Sequence, residues 1–216
     1  GPLEPLRPGL VGVFSVTAVL SMIVGNLGAM RQTNLRRFVA YSSIAQVGYI
    51  LVGFTGEADA ARVALQYNLI VYAVTSFALY FVLSLVGREG PDTLPTLRGL
   101  GRRNPALAAL LALSMFSFAG IPPLAGFLGK FLLFAAAAGE GRYLLVLLAV
   151  GNAVVSFYYY MLVVKEAYLA PAGEERPPLV LTAGSKITLA VLAALLLVLG
   201  LCPGVLGYLE ATVPGR

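Results

Sequence analysis

The sequence predicts an all-α protein, a polytopic bundle of about six transmembrane helices, one of them interrupted near Pro122 and Pro123. Composition is the first reason. Of 216 residues, 59% are hydrophobic and 12% are charged, whereas soluble domains carry about 25% charge. The second reason is that the apolar runs are continuous and about 20 residues long, as spanning helices require. A membrane barrel would alternate apolar and polar residues in segments of about 10 residues.

Six apolar stretches follow one another, and each predicts one crossing of the membrane: residues 10–30, 38–54, 63–87, 105–138, 143–164 and 187–202. The segments 88–105 and 165–186 between them are polar and rich in Pro, which predicts loops. The first ten residues, GPLEPLRPGL, lack the basic-then-apolar pattern of a signal peptide. They read as a loop entering a span, and we expect the chain to be the C-terminal portion of a longer or processed protein.

The fourth stretch is too long for one straight crossing. A helix over residues 105–138 would reach about 50 Å, more than the ~30 Å hydrocarbon core. It is therefore either a hairpin of two spans or one interrupted span. The interrupted span separates the basic residues ten to four between the two faces, and the hairpin only nine to five.

The ten-residue face is cytoplasmic by the positive-inside rule, with both termini outside. That face holds Arg31, Arg36, Arg37, Arg88, Arg98, Arg102, Arg103, Lys165, Arg176 and Lys186, and the other face holds Arg7, Arg62, Arg142 and Arg216.

Composition also excludes several functions. The chain has no His and a single cysteine, Cys202, so it cannot form a disulfide within itself. It also has no Cys/His cluster for zinc, haem iron or an iron–sulfur cluster. The net charge of +5 comes from basic residues scattered over several loops. That distribution fits membrane orientation and does not form a nucleic-acid patch.

Lys130 is the first candidate functional residue. It lies about eight residues from the break and eight from the end of its half-helix, ~12 Å of rise, so its side chain cannot simply reach water. One interpretation is a lysine that neutralises a helix end or pairs with a lipid phosphate. The other is a lysine that faces a hydrated interior and exchanges protons. No acidic residue lies within any predicted span, so its partner is expected to be water, another lysine or a carboxylate from elsewhere.

Pro122 and Pro123 are the second candidate feature. Prolines at membrane depth free backbone groups, which is tolerable only where they face protein or a water-filled cavity. Transporters use such interruptions to build ion sites. The plainer interpretation is a loop between two short helices.

The third candidate is a polar stripe at the start of the second span, within NLRRFVAYSSIAQVGYILVG (residues 34–53). Arg36 and Arg37 sit at its boundary, where orientation anchors are expected. Tyr41, Ser42, Ser43 and Gln46 then follow, and they either hold a chain of waters or act as interhelical hydrogen-bonding glue.

Other polar residues are weaker candidates. Singly, each is expected to serve packing: Asn26, Asn68, Thr75, Ser114, Ser117, Asn152 and Ser156. Tyr158, Tyr159 and Tyr160 are expected to form an interfacial aromatic belt.

Two motifs, NLRRFVAYSSIAQVGYILVGF and SFAGIPPLAGFLGKFLLF, resemble in sequence and order the antiporter-like membrane subunits of respiratory complex I. GNLGAMRQTNLRRFVAYSS and SFYYYMLVV strengthen the resemblance, which covers nearly the whole chain. The chain looks most like the subunit N branch, which includes mitochondrial NADH dehydrogenase subunit 2.

The resemblance implies two inverted five-helix repeats, of which this chain holds the second (residues 8–169) and a terminal helix (185–202). It implies that Lys130 belongs to a central polar axis for protons, and that Arg36 and Arg37 lie near the side where protons enter. The family often has Lys where Arg36 stands and ends the serine motif YSSIAH where this chain has Gln46. Arg keeps its charge and Gln cannot titrate, so electrostatic positioning and ordered water are expected at these two places. The glutamate–lysine pair of the first repeat has no counterpart here.

The resemblance further implies a translocase subunit of NADH:quinone oxidoreductase in the bacterial inner membrane, with no redox chemistry or cofactor of its own. NADH, FMN, iron–sulfur clusters and quinone are expected in partner subunits, and other antiporter-like subunits are expected as neighbours in the bilayer. The alternatives are a subunit of a multisubunit sodium/proton antiporter, a structural subunit that does not pump, and, more distantly, an unrelated transporter.

Overall fold

A computed structural model describes residues 7–88, 90–171, 177–202 and 204. Its helices are α1 (Arg7–Met30), α2 (Leu35–Gly53), α3 (Ala58–Val86), α4 (Leu100–Arg103), α5 (Pro105–Ala119), α6 (Ala125–Gly139), α7 (Tyr143–Tyr168) and α8 (Ala183–Leu201). One turn of 3-10 helix (Leu94–Leu97) precedes the short α4, so the predicted loop 88–105 is partly helical. The described residues form no β-strand, which confirms the all-α fold.

Four helices, α1, α3, α7 and α8, are each long and apolar enough to cross a membrane. The 19-residue α2 has the length for a fifth crossing. It is less hydrophobic because Ser42 and Gln46 face the interior of the bundle, where both are buried. The remaining crossing consists of α5 and α6, which have 15 residues each.

The chain continues in one direction through the break between α5 and α6. On the α5 side, Ser117 Oγ lies 3.0 Å from Thr75 Oγ1 of α3. On the α6 side, Gly129 packs against Asn68, about two turns further towards the start of α3. The half-helices therefore run one after the other along α3, which confirms the interrupted span and excludes the hairpin.

The loops after α1, α3 and α7 meet at one end of the bundle. The amide of Leu35 donates to the Asp92 carbonyl at 2.8 Å, and that of Leu94 donates to the Thr33 carbonyl at 3.1 Å. Arg98 pairs with Glu166 at 2.9 Å. These contacts bring together the segments that carry the predicted basic face, apart from Arg176, which lies outside the described residues.

The opposite end joins the start of α1 to the turn between α6 and α7. Arg7 pairs there with Glu140 at 3.3 Å, and the Phe14 ring lies 5.4 Å from the Phe54 ring, centroid to centroid. Of the four basic residues predicted for this face, Arg216 lies outside the described residues. The alternation of loops between the two ends is the one that six crossings require.

Candidate functional site

The two prolines expose one particular backbone carbonyl inside the bundle. In an uninterrupted helix, the Phe118 oxygen would accept from the amide of residue 122, but Pro122 has no N–H. Gly120 ends α5 in the left-handed region, with φ of +78°, a conformation that glycine adopts without steric cost. The Phe118 carbonyl is therefore available for side chains of other helices.

Two side chains donate hydrogen bonds to that carbonyl. Lys130 Nζ donates to the Phe118 oxygen at 2.7 Å, and Gln46 Nε2 of α2 donates to the same atom at 3.1 Å. The Lys130 side chain is buried, and the residue is 6% exposed. The proline break and the buried lysine thus form one site, since the break supplies the acceptor that the lysine uses.

No carboxylate accompanies Lys130 in the part of the chain described. None of the ion pairs formed there includes it. Its second neighbour is aromatic, because Nζ lies 4.3 Å from the centroid of the Tyr49 ring. Water, another lysine or a carboxylate from elsewhere stays a prediction for the partner of Lys130. The structure adds a freed carbonyl and a ring face, which are also suitable partners for an ammonium group.

A chain of hydrogen bonds leads from this site towards the basic end of the bundle. Gln46 Nε2 also donates to the Tyr160 hydroxyl of α7 at 3.0 Å, and that hydroxyl lies 2.5 Å from Ser42 Oγ. We call Ser42, Gln46, Phe118, Lys130 and Tyr160 the Lys130 cluster. All five residues are buried.

A small cavity adjoins the cluster on its α3 side. Its volume is about 10 Å³, roughly the space needed for a single water. Its lining includes five residues with polar side chains, Gln46, Asn68, Thr75, Ser117 and Lys130. The hydrated interior expected from the sequence is thus very narrow. Asn68, Thr75 and Ser117, which were expected only to pack, line it.

Close backbone approach keeps α6 against the end of α5. A Cβ added to Gly126 would overlap the carbonyl oxygen of Ser117. Glycine is therefore needed here for space, and its absence of a side chain lets Lys130, one turn later, reach back to the Phe118 carbonyl.

The remaining predicted residues lie away from the cluster. Ser43 Oγ donates to the Val39 carbonyl of its own helix at 2.9 Å, and Tyr41 is half-buried over Gly28. Arg36 pairs with Asp92 at 2.7 Å, and Arg37 is exposed. The predicted polar stripe is therefore divided, and only Ser42 and Gln46 belong to the Lys130 cluster.

The tyrosines of α7 correct a second expectation. Tyr158 is 56% exposed, as an interfacial ring would be, but Tyr159 and Tyr160 are 1% and 0% exposed. The Tyr159 hydroxyl donates to Asn26 Oδ1 at 2.9 Å, and Asn26 Nδ2 donates to Asn152 Oδ1 at 3.0 Å. We call Asn26, Asn152 and Tyr159 the Asn26 cluster.

Sequence reasoning missed Tyr160, and a signal for it was present. Asn152, Ser156 and Tyr160 follow at intervals of four, so they share one face of α7. That polar face points into the bundle, and Ser156 is fully buried. Tyr49 and the Phe118 carbonyl gave no such signal, because neither a ring nor a backbone atom stands out in an apolar sequence.

Residues 5–156 match the family described as NADH:quinone oxidoreductase/Mrp antiporter, TM. A relative from Acidobacterium capsulatum, NADH-quinone oxidoreductase subunit N 2, is 43% identical over 203 residues. That alignment covers 92% of this chain and 41% of the relative. The chain therefore spans about two fifths of the length of the relatives it matches.

Solved structures of membrane complexes contain chains with a similar fold. A chain of respiratory complex I from Thermus thermophilus with bound aureothin superposes with a TM-score of 0.81 and 36% identity, over 92% of this chain and 45% of that one. A chain of the Mrp complex from a Dietzia species superposes with a TM-score of 0.82 and 23% identity, over 94% and 46%. At 23% identity, the similarity to the Mrp chain shows a shared fold only. The protein is an integral membrane protein.

Proposed function

The chain belongs to the family of transmembrane subunits shared by NADH:quinone oxidoreductase and Mrp antiporters, and we propose that it is a proton-translocating subunit of NADH:quinone oxidoreductase, respiratory complex I. In this proposal it is the part of subunit N that moves a proton through Lys130. Quinone reduction elsewhere in the complex drives the transfer.

One observation carries the proposal: a buried lysine, with no carboxylate partner among the described residues, donates to a backbone carbonyl freed by a helix break. Ionisable residues within membrane spans are costly and are typical of ion and proton pathways. An ammonium that served only to orient the helix would lie at its end. Lys130 instead lies inside α6 and contacts the carbonyl at the helix break. A group that takes up and releases protons needs such a contact with a polar pathway.

The neighbouring polar groups define two sides of the pathway. On one side, Gln46, Tyr160 and Ser42 lead towards the basic end, and Ser42 lies about 10 Å from the start of α2. On the other side, the cavity beside Asn68, Thr75 and Ser117 admits about one water. Gln46 orients the chain without titrating, and the tyrosine and serine hydroxyls can each accept one proton while giving up another.

The other predicted residues have supporting roles in this proposal. Pro122 and Pro123 keep the Phe118 carbonyl free, whereas Tyr41 and Ser43 contribute polarity at the edge of the pathway. Arg36 and Arg37 retain their charge and tune the potential where protons enter.

The wider arrangement is part of the same proposal. Residues 8–169 would form the second of two inverted repeats and residues 185–202 a terminal helix. The basic end would face the bacterial cytoplasm across the inner membrane. The neighbours would be other antiporter-like subunits of the complex, and NADH, FMN, iron–sulfur clusters and quinone would be bound in partner subunits.

A subunit of a multisubunit sodium/proton antiporter is the second candidate, favoured by the shared fold with the Mrp complex. The 43% identity to a subunit N relative favours complex I. The two differ in their source of energy, because only complex I couples transport to oxidation of NADH. A subunit that only fills space in the membrane is the third candidate.

The test compares intact complexes, reconstituted in vesicles, that carry Lys130→Met or Lys165→Met. Lys165 lies exposed near the end of α7, so its replacement is the same chemical change outside the site. Proton uptake driven by NADH, oxidation of NADH and subunit content are measured on the same samples. We expect Lys130→Met to reduce proton uptake by about a hundredfold or more, within the range of general acid–base effects, and Lys165→Met to leave it unchanged.

Normal proton uptake in a fully assembled Lys130→Met complex would show that the lysine is structural. Uptake that requires a sodium gradient and is indifferent to NADH would favour the antiporter.

A further inference from the structure

The ring of Tyr49 occupies the position at which a counter-ion for Lys130 would be expected. Lys130 Nζ lies 4.3 Å from the ring centroid, well within the ~6 Å range of cation–π contacts. Among the described residues, the other polar contact of this amine is with the Phe118 carbonyl. An ammonium group enclosed in this way has one dipole and one π face, and neither carries a net negative charge.

The Tyr49 ring is enclosed by apolar neighbours. It is 1% exposed and packs in a cluster with Ala18 and Met22 of α1 and Ala137 of α6. The Phe134 ring, one turn after Lys130 on α6, lies 6.2 Å from it, centroid to centroid. The Tyr49 hydroxyl is buried, and its polar neighbours are Asn26 and Ser156. What the residue contributes to this site is therefore its ring face.

We infer that Tyr49 is a positioning residue for proton transfer, and that its ring holds the charged side chain of Lys130 in place of a carboxylate. This inference rests on the proposed function. It adds a residue from α2 that lies outside the polar stripe recognised in the sequence.

The two contacts of Lys130 respond differently to the loss of its proton. The Phe118 carbonyl accepts a hydrogen bond from an ammonium or from a neutral amine, because both carry N–H donors. The ring face attracts the cation far more strongly than the neutral amine, since the main attraction is between a charge and the ring quadrupole. When the proton leaves, Tyr49 releases the side chain while the carbonyl still holds it, so the amine can turn towards its next proton partner.

A ring has a further advantage over a carboxylate. A carboxylate in a nonpolar site would bind the ammonium strongly, because opposite charges attract more in a low dielectric. The proton would then leave only with difficulty. The ring gives a weaker attraction, so the cation is stabilised without being trapped.

The test uses three variants and one substitution series in the intact, reconstituted complex, each measured for NADH-driven proton uptake and assembly. Tyr49→Phe keeps the ring and removes the hydroxyl, and Tyr49→Leu removes the ring. Phe134→Leu is the matched control, because it removes a neighbouring ring from the same packing cluster. The series places fluorinated phenylalanines at position 49, which weaken the ring quadrupole at nearly constant size.

We expect Tyr49→Phe and Phe134→Leu to retain proton uptake within about twofold and Tyr49→Leu to lose about tenfold or more, as for loss of a desolvated cation–π contact. In the fluorinated series, uptake should fall stepwise with each added fluorine. That series tests the role of the ring even if Tyr49→Leu fails to assemble. If the ring served only packing, proton uptake would not change with added fluorine.

The inference is overturned if the fluorinated series is flat, if Tyr49→Leu pumps normally, or if Tyr49→Phe loses as much as Tyr49→Leu. Failure of the proposed function itself has a different signature, namely normal pumping by Lys130→Met. A Lys130→Met complex that fails to pump, together with a flat series, removes only the role of Tyr49.

Discussion

The Lys130 cluster and the Asn26 cluster are built on adjacent residues of one helix, yet their chemistry differs. Tyr160 belongs to the first and Tyr159 to the second, and their ring centroids lie 4.5 Å apart. The Lys130 cluster is buried, as are Asn26 and Tyr159, whereas Asn152 is half-buried. Both clusters connect α7 to another helix by hydrogen bonds. The Asn26 cluster consists of amides and a hydroxyl on two intact helices, α1 and α7. The Lys130 cluster adds a helix break and a titratable amine.

This difference separates a polar group that joins helices from one that can do chemistry. In the Asn26 cluster each of the three side chains donates to an acceptor, and no member changes its charge. In the Lys130 cluster one carbonyl is shared by two donors, and one of those donors can lose a proton. Buried polarity alone is therefore a weak indicator of function in this bundle, whereas polarity combined with an interrupted backbone is a strong one.

Adding a methyl group at the break should give the largest effect. In Gly126→Ala the new Cβ would overlap the Ser117 carbonyl, and such overpacking costs about 1–3 kcal/mol. Displacement of α6 also moves Lys130 from its acceptor. We expect loss of thermal stability of the complex and a fall in proton uptake of about tenfold, the rate equivalent of ~1.4 kcal/mol.

Gly151→Ala is the matched change beside the Asn26 cluster. A Cβ there meets nothing within 4 Å, and alanine favours the helix by about 1 kcal/mol. Stability and pumping should be unchanged or slightly improved. Equal damage from both substitutions would mean that the glycines serve helix packing generally and that the break has no special geometry.

Removing one side-chain amide from each cluster should have opposite consequences. Proton uptake should fall for the Lys130 cluster, and thermal stability should fall for the Asn26 cluster. In Gln46→Leu, the Phe118 carbonyl keeps Lys130 and the Tyr160 hydroxyl keeps Ser42, so little stability is lost. The path beyond Lys130 is interrupted, and we expect proton uptake to fall about fivefold, the rate equivalent of one hydrogen bond of ~1 kcal/mol.

In Asn26→Leu, the Tyr159 hydroxyl loses its acceptor. A buried donor left without a partner costs about 1–3 kcal/mol, so the melting temperature should drop. Pumping per assembled complex should stay within about twofold, because no step of the proposed transfer uses this cluster. Melting curves and vesicle pumping on both variants check the pair, and reversed results would assign the pathway to the Asn26 cluster.

The smallest effect is expected at the basic end. Arg36 pairs with Asp92 at 2.7 Å, but its side chain is 76% exposed, and exposed ion pairs contribute about 0–1 kcal/mol. Arg36→Ala should lower stability slightly at low salt and less at high salt, because salt screens exposed pairs. Arg37→Ala, one residue on and also exposed, is the control. A large loss of pumping in Arg36→Ala alone would mean that Arg36 takes part directly in proton uptake.

The sequence by itself determined the bundle and the place of its interruption. Long apolar runs predict spanning helices because hydrocarbon cannot satisfy a bare backbone. Two prolines inside such a run must break it, since neither can donate to the preceding turn. Lys130 stood out for the same reason, because a charge so far from either end of an apolar run needs a polar partner.

Only the tertiary structure decided which partners these are. The break made the Phe118 carbonyl an acceptor for Lys130 and Gln46, and Tyr49 supplied a ring face. Tyr160, on a helix far along the chain, accepts a hydrogen bond from Gln46. Sequence patterns record which face of a helix a residue occupies, whereas a buried hydrogen bond depends on how three or four helices pack against each other. Here that packing separated Tyr159 from Tyr160 and Ser42 from Ser43, neighbours in sequence that face different surroundings.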